Sequence, residues 1–127
     1  MPIAVLAALV FAASAAATQE NLDAGRNVFR RECIACHAFG CDKRGPNLQG
    51  IFGRAAGAVG DFRHYSDALK KSGIVWDAET LDRFLADPAA MVSGTTMTWG
   101  KVADAQQRRD VLAFLSAGDT SLDICLR

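Results

Sequence analysis

The chain has 127 residues, half of them hydrophobic, and its 14 basic and 14 acidic side chains cancel at pH 7. This length allows one domain of modest size. The zero net charge gives no support for nucleic-acid binding, which needs a basic surface. Nucleic-acid partners are therefore not expected.

Residues 1–17 differ from the rest of the chain because they are almost entirely apolar or small. An apolar run followed by Ser14 and three alanines is typical of a secretory signal peptide with its cleavage site. The run is shorter than the roughly 20 apolar residues that span a bilayer. We expect a cleaved signal and a mature domain over residues 18–127, with an uncleaved membrane anchor as the alternative. No later segment predicts stable membrane insertion.

The first element of the mature chain is a predicted helix over residues 21–36. Leu22, Val28, Phe29 and Cys36 recur at helical spacing, and Asn21 or Asp23 can cap its start. Gly25 lies inside this helix, where glycine costs up to about 1 kcal/mol relative to alanine. A second backbone that crosses close to Gly25 would explain this glycine, and a glycine that the helix simply tolerates is the alternative.

The end of this helix carries the pattern Cys33-x-x-Cys36-His37, which is the spacing of covalent c-type heme attachment. Two thiols with two residues between them can reach the two vinyl groups on one edge of a porphyrin. The histidine that follows can then bind iron axially.

Two alternatives to heme attachment were weighed. A structural zinc site needs four ligands, usually as two paired clusters, and the chain has no second C-x-x-C pair. A thioredoxin-like redox pair needs a βαβ context, which the sequence does not predict. Heme attachment is therefore the favoured interpretation of Cys33, Cys36 and His37.

Beyond the motif the sequence predicts loops and short helices. Residues 40–60 are rich in glycine, with a turn signal at 45–47, and they predict a loop. Ser66 can cap a short helix over residues 67–72 that Gly73 ends. Asp77 or Thr80 can begin another, which Pro88 ends.

The last helix is predicted to begin at residues 104–107, which resemble a capping box, and to end at Gly118. It presents Val111, Leu112, Phe114 and Leu115 on one face. No strand of useful length is predicted. The expected fold class is all-α, with four to five short helices and long loops around one heme.

A heme iron bound by His37 has an opposite face, for which Met97 is the candidate ligand. Met97 lies in a glycine-marked loop before the last helix, together with Met91. A thioether is a soft ligand for iron and raises its reduction potential when paired with histidine. His64 is the competing ligand, with a surface position near the propionates as its simpler interpretation.

These segments together resemble class I cytochrome c, of the mitochondrial and bacterial short-chain type. The resemblance runs from Gly25 to Leu115 through these stretches: GRNVF at 25–29, CIACH at 33–37, GPNLQGIFGR at 45–54, YSDA at 65–68, GIVW at 73–76, GTTM at 94–97 and LAFL at 112–115.

The resemblance implies roles for individual residues. His37 and Met97 would be the axial ligands, and the backbone carbonyl of Pro46 would accept a hydrogen bond from the far nitrogen of His37. Arg54, Tyr65 and Trp76 would hold the heme propionates. Relative to the mitochondrial pattern the loop after His37 is short and Thr96 replaces a lysine, which leaves the docking partner open.

The sequence therefore predicts a soluble, monomeric, periplasmic electron-transfer cytochrome that carries one electron on one covalently attached heme c. Its partners would be membrane complexes or periplasmic oxidoreductases. It would not be an enzyme, because protein ligands fill both axial positions. The alternative is a heme enzyme, peroxidase-like or gas-binding, in which Met97 is displaceable.

Two cysteines remain once Cys33 and Cys36 are assigned to the heme. Cys41 follows the heme ligand closely and Cys125 lies in a C-terminal tail, residues 118–127. In an oxidising compartment we expect them to form a disulfide. For a closed loop of about 84 residues the chain-entropy model gives roughly 4 kcal/mol. Free or intermolecular thiols are the alternative.

Overall fold

The computed structural model describes residues 17–118, together with Met1 and Cys125. The predicted signal segment, residues 1–17, lies outside the described residues except for its two ends. The same is true of the predicted tail, residues 118–127, except for Gly118 and Cys125. Among the residues described, no helix is both long enough and apolar enough to cross a lipid bilayer.

The described part of the chain is helical. Its helices are α1 (Gln19–Glu32), α2 (Asp67–Lys70), α3 (Ala78–Ala86), α4 (Pro88–Met91) and α5 (Ala105–Ala117). Within residues 17–118 the β structure is limited to an isolated bridge between Ala55 and Val75. The predicted all-α class, with short helices and long loops, is confirmed.

The predicted bounds of the first helix were wrong at both ends. α1 begins earlier because the Thr18 side chain caps it by accepting from the N–H of Asn21. It ends at Glu32, since the N–H groups of Cys33 and Ile34 both bond to the carbonyl of Phe29. Residues 33–36 then form a tight turn, so the heme motif follows the helix rather than continuing it.

Caps define the later helices. Asp77 and Thr80, the two predicted alternatives for the start of α3, together form one reciprocal capping box. Pro88 ends α3 and also begins α4, a single turn that the sequence did not predict. The predicted box at α5 is half formed: Asp104 accepts from the N–H of Gln107, whereas the Gln107 side chain accepts from Arg31 of α1.

The core is built where α1 crosses α5. Phe29 and Phe114 are fully buried, and their ring centroids are 5.5 Å apart. Phe39, from the loop after the heme motif, lies 5.2 Å and 5.6 Å from these two rings. A Cβ atom on Gly25 would lie only 2.7 Å from the Cβ of Phe114. The close backbone crossing expected from Gly25 is therefore present.

A polar contact fixes α3 against α5. The Arg108 guanidinium donates to the carboxylate of Asp82 at 2.7 Å and to the carbonyls of Val102 and Ala103. The Arg108 side chain is largely buried, whereas that of Asp82 is 40% exposed. The buried side chains of α3, Leu81, Phe84 and Leu85, line one cavity together with residues of the Cys33–His37 turn.

We predict that Gly25→Ala lowers the free energy of unfolding. Alanine gains up to about 1 kcal/mol in helix propensity, but overpacking a tight contact typically costs about 1–3 kcal/mol. Because backbone atoms of Asp110 also approach this position, we expect the clash to dominate. Denaturant unfolding measures the change, and Asn27→Ala on the exposed face of α1 is the control. Unchanged or higher stability of the Gly25 variant would contradict the close crossing.

Candidate heme site

One cavity of about 560 Å³ collects the side chains that the sequence analysis selected. Its volume is within the range of about 300–1,000 Å³ that is usual for cofactor sites. All eight predicted heme-contacting residues line it: Cys33, Cys36, His37, Pro46, Arg54, Tyr65, Trp76 and Met97. Most of the remaining wall is apolar, with Leu81, Phe84 and Leu85 supplied by α3.

His37 is held in one tautomer. Its Nδ1 lies 2.9 Å from the carbonyl oxygen of Pro46. A carbonyl only accepts hydrogen bonds, so Nδ1 carries the proton and donates it. Burial lowers the pKa of His37, which favours the neutral ring. Nε2 of the neutral ring therefore keeps its lone pair, as a metal-binding imidazole requires.

The backbone of Gly45 lies directly against the imidazole of His37. A Cβ atom at this position would lie 2.7 Å from both Nδ1 and Nε2 of the ring. The N–H of Gly45 donates to the carbonyl of Cys36 at 2.7 Å, which holds it there. Sequence reasoning treated Gly45 only as part of a turn, because the contact joins residues that pack together only in the fold.

The two thiols of the motif lie beside the cavity. Cys33 is buried and Cys36 is partly buried. Burial raises the pKa of the Cys33 thiol to about 12, with smaller contributions from the charges of Glu32 and Cys36. A thiol of this kind forms little thiolate and is unsuited to thiol–disulfide exchange. The thioredoxin-like alternative therefore finds no support in the site.

The zinc alternative is also unsupported. Over the residues that the structure describes, no group of three or more His, Cys, Asp and Glu side chains converges as a metal site. A structural zinc ion needs four such ligands. The Cys33–His37 turn instead faces an apolar cavity.

Arg54, Tyr65 and Trp76 bring polar hydrogen-bond donors to the cavity. Arg54 donates to the carbonyl of Asn47 at 2.8 Å, and burial lowers its pKa. The Tyr65 hydroxyl accepts from the N–H of Val59, which leaves its own proton free to donate. Trp76 is 5% exposed and packs against Phe84. These donors suit carboxylates at the edge of an apolar pocket.

Met97 lies in a short segment between two glycines of positive φ, Gly94 and Gly100. Its N–H donates to the hydroxyl of Thr95. A Cβ atom on Gly100 would lie 3.1 Å from the Met97 methyl carbon and 3.3 Å from the carbonyl oxygen of Glu32. Gly100 therefore lets the Met97 segment pack closely against the end of α1.

His64 remains the competing nitrogen ligand. It is exposed and lies edge-on to Phe62, with ring centroids 5.7 Å apart. It also lines the cavity, but it is exposed to solvent, whereas His37 is buried and oriented by Pro46. Phe62, a buried part of the wall, was not selected from the sequence.

Cys41 and Cys125 are joined by a disulfide in the structure, with their Cα atoms 5.8 Å apart. That separation is usual for a bridge. The Cys125 sulfur also lies 3.4 Å from the carbonyl oxygen of Phe39. The bridge thus lies over the loop that follows the heme motif.

The donor set of the cavity fits a covalently attached heme. Two thiols, a neutral imidazole and a thioether border one apolar space, and the Gly45 backbone leaves room for the imidazole ring. Polar donors for propionates lie at the same cavity. His37, Met97 and the two cysteines would hold such a group through iron and through thioether bonds.

Comparisons with known proteins agree with this geometry. A sequence model described as "Cytochrome c" matches residues 22–119. The chain is 39% identical over 115 residues to cytochrome c2 of Blastochloris viridis, covering 87% of this chain and 89% of that protein. It is 42% identical over 113 residues to cytochrome c2 of Rhodomicrobium vannielii, covering 87% and 88%.

Among solved structures, cytochrome cH from Methylobacterium extorquens is similar, with a TM-score of 0.72 and 40% sequence identity. The match covers 76% of this chain and 98% of that structure. The fold is therefore the cytochrome c fold. The chain belongs to the cytochrome c family of class I c-type electron-transfer proteins and carries one covalently attached heme c.

Proposed function

We propose that this protein is a soluble periplasmic carrier of single electrons, with His37 and Met97 as the two axial ligands of its heme iron. The observation that carries the proposal is the hydrogen bond from His37 Nδ1–H to the carbonyl of Pro46. It leaves Nε2 as the free donor atom of a buried, neutral imidazole that shares a cavity with Met97.

A bound heme c supplies one-electron chemistry at its iron. As ligands, His37 would stabilise the ferric state through its basic nitrogen, and Met97 would favour the ferrous state through its soft sulfur. Arg54, Tyr65 and Trp76 would neutralise or hydrogen-bond the propionates. The apolar wall from α3 would limit the access of water to a heme bound in this cavity.

The partners in this proposal are other redox proteins, namely membrane complexes or periplasmic oxidoreductases. The relatives named above are cytochromes c2 and cH, and their similarity supports an electron-carrier role. We propose that residues 1–17 direct export and are removed, and that the mature chain acts as a monomer without enzymatic activity.

Met97→Ala tests the axial assignment. We expect the reduction potential to fall, because loss of a thioether removes a ligand that favours ferrous iron. The sulfur-to-iron charge-transfer band of the oxidised protein should disappear, and added imidazole or cyanide should bind. Redox titration and absorption spectroscopy measure these changes.

Met91→Ala is the matched control, since Met91 is a half-buried methionine packed against the core outside this cavity. It should lower stability while the potential and the band stay close to the parent values. An unchanged spectrum in the Met97 variant would remove Met97 as a ligand. Rapid binding of added ligands by the parent protein would favour the heme-enzyme alternative instead.

Gly45→Ala tests whether close approach of the backbone positions His37. The added methyl group would meet the imidazole, so we expect the ring to shift, its hydrogen bond to Pro46 to lengthen and stability to fall by about 1–3 kcal/mol. Gly60→Ala is the control, because nothing lies within 4 Å of a Cβ at that position. Equal stability and equal potential for the two variants would contradict this account.

We also propose that the Cys41–Cys125 disulfide forms in the exported protein. Thiol titration of the unfolded, unreduced holoprotein should find no reactive thiol, since Cys33 and Cys36 would be thioethers. Cys125→Ser should lower stability by up to about 4 kcal/mol by the chain-entropy model. Two reactive thiols per chain in the parent protein would show that this bridge does not form.

A further inference from the structure

The loop after the heme motif contains a carboxylate that contacts the peptide group behind His37. Oδ1 of Asp42 accepts a hydrogen bond from the N–H of Asn47 at 2.7 Å. The carbonyl of Pro46 accepts from His37 Nδ1–H at 2.9 Å. That N–H and that carbonyl belong to one peptide group, because Asn47 follows Pro46. Asp42, the Pro46–Asn47 peptide and His37 therefore form a continuous chain of hydrogen bonds.

We propose that Asp42 is a positioning residue that lowers the reduction potential by acting on His37 through the Pro46–Asn47 peptide. The inference rests on His37 as the iron ligand, as proposed above. It assigns a redox role to an exposed loop residue that does not line the cavity.

The physical basis is the polarisation of an amide. A hydrogen bond to a carboxylate is roughly twice as strong as one between neutral groups. Hydrogen bonds in a chain strengthen one another by about 10–30% per bond. A carboxylate at the N–H end of the peptide therefore makes the Pro46 oxygen more negative, so it accepts more strongly from Nδ1–H. The imidazole becomes more basic at Nε2, which stabilises ferric iron.

The loop is held so that this chain stays aligned. The Asn47 side-chain oxygen accepts from the N–H groups of Gly40 and Gln49, at 2.8 Å and 2.9 Å. The N–H of Lys43 donates to the carbonyl of Gly45 at 2.9 Å. These contacts fix the backbone on both sides of Asp42 and on both sides of the Pro46–Asn47 peptide. The Asp42 carboxylate therefore keeps its hydrogen bond to the N–H of Asn47 without a large movement of the loop.

Asp42 is exposed, whereas Pro46 and Asn47 are partly buried and His37 is buried. Water competes for the carboxylate, so only part of its polarising effect reaches the ring. The same negative charge also acts through space on any nearby cofactor. Exposed charges act weakly at a distance and are screened by salt, which offers a way to separate the two effects.

Asp42→Asn is the test, because it removes the charge but keeps an oxygen that can accept from Asn47. We expect the reduction potential of the holoprotein to rise. At a fixed applied potential the ferric-to-ferrous ratio should fall roughly two- to fourfold. The His37 Nδ1–H resonance of the ferrous protein should move upfield in proton NMR, as expected for a weaker hydrogen bond. The shift in potential should persist at 0.5 M salt.

Glu32→Gln is the matched control. Glu32 carries the same charge as Asp42 and lines the cavity. Its carboxylate forms a salt bridge with Arg31 instead of a hydrogen bond to the Pro46–Asn47 peptide. Its loss should leave the Nδ1–H resonance in place, and any change in potential should shrink with salt. Asp42→Ala removes both the charge and the acceptor and should move the resonance further than Asp42→Asn. If the Asp42→Ala variant does not fold, the potential and the Nδ1–H resonance of Asp42→Asn still test the inference.

Unchanged potential and resonance in Asp42→Asn would overturn the inference. So would equal, salt-screened shifts in potential for Asp42→Asn and Glu32→Gln with the resonance unmoved, since that pattern is a through-space effect. Proton NMR of the ferric parent protein distinguishes failure of this inference from failure of the proposed function. If His37 binds iron, its ring protons show hyperfine shifts in the ferric state. Their absence would remove the axial assignment itself.

Discussion

The hydrogen bond between His37 Nδ1–H and the carbonyl of Pro46 is the constraint on which the site depends. It fixes the tautomer of a buried imidazole and leaves one nitrogen for the metal. Gly45 is required beside it, since a side chain there would occupy the space of the ring. The turn at Cys33–Cys36 and the loop at 45–47 therefore have to be placed together, and the N–H of Gly45 joins them by donating to the carbonyl of Cys36.

That placement depends in turn on the crossing of α1 and α5. Phe39 joins Phe29 and Phe114 in one aromatic cluster, so the loop after the heme motif is anchored in the main core. The N–H of Leu48 bonds to the carbonyl of Ala38 at 3.0 Å and closes the same loop. The packing of the core and the position of His37 are thus parts of one connected structure.

Much of the fold was predictable because its signals are local. Ser66, Asp77 and Asp104 cap helices where their sequence positions indicate. The bounds of α1 were not predicted, because the hydrophobic spacing runs on to Cys36 while backbone bonds to Phe29 end the helix at Glu32. The α4 turn was not predicted because Pro88 was interpreted only as the end of α3, although proline is also suited to the first position of a helix.

The sequence by itself determined the chemistry of the site, because two thiols and an imidazole at fixed spacing can reach one porphyrin from a single turn. It also selected eight of the residues that line the cavity, although Phe62 was not among them. The tertiary structure alone decided how these groups are oriented. The contact of Gly45 with His37 and the position of Asp42 behind the Pro46–Asn47 peptide join residues from different turns. Such contacts arise from packing and hydrogen bonding between segments, which no local pattern of residues encodes.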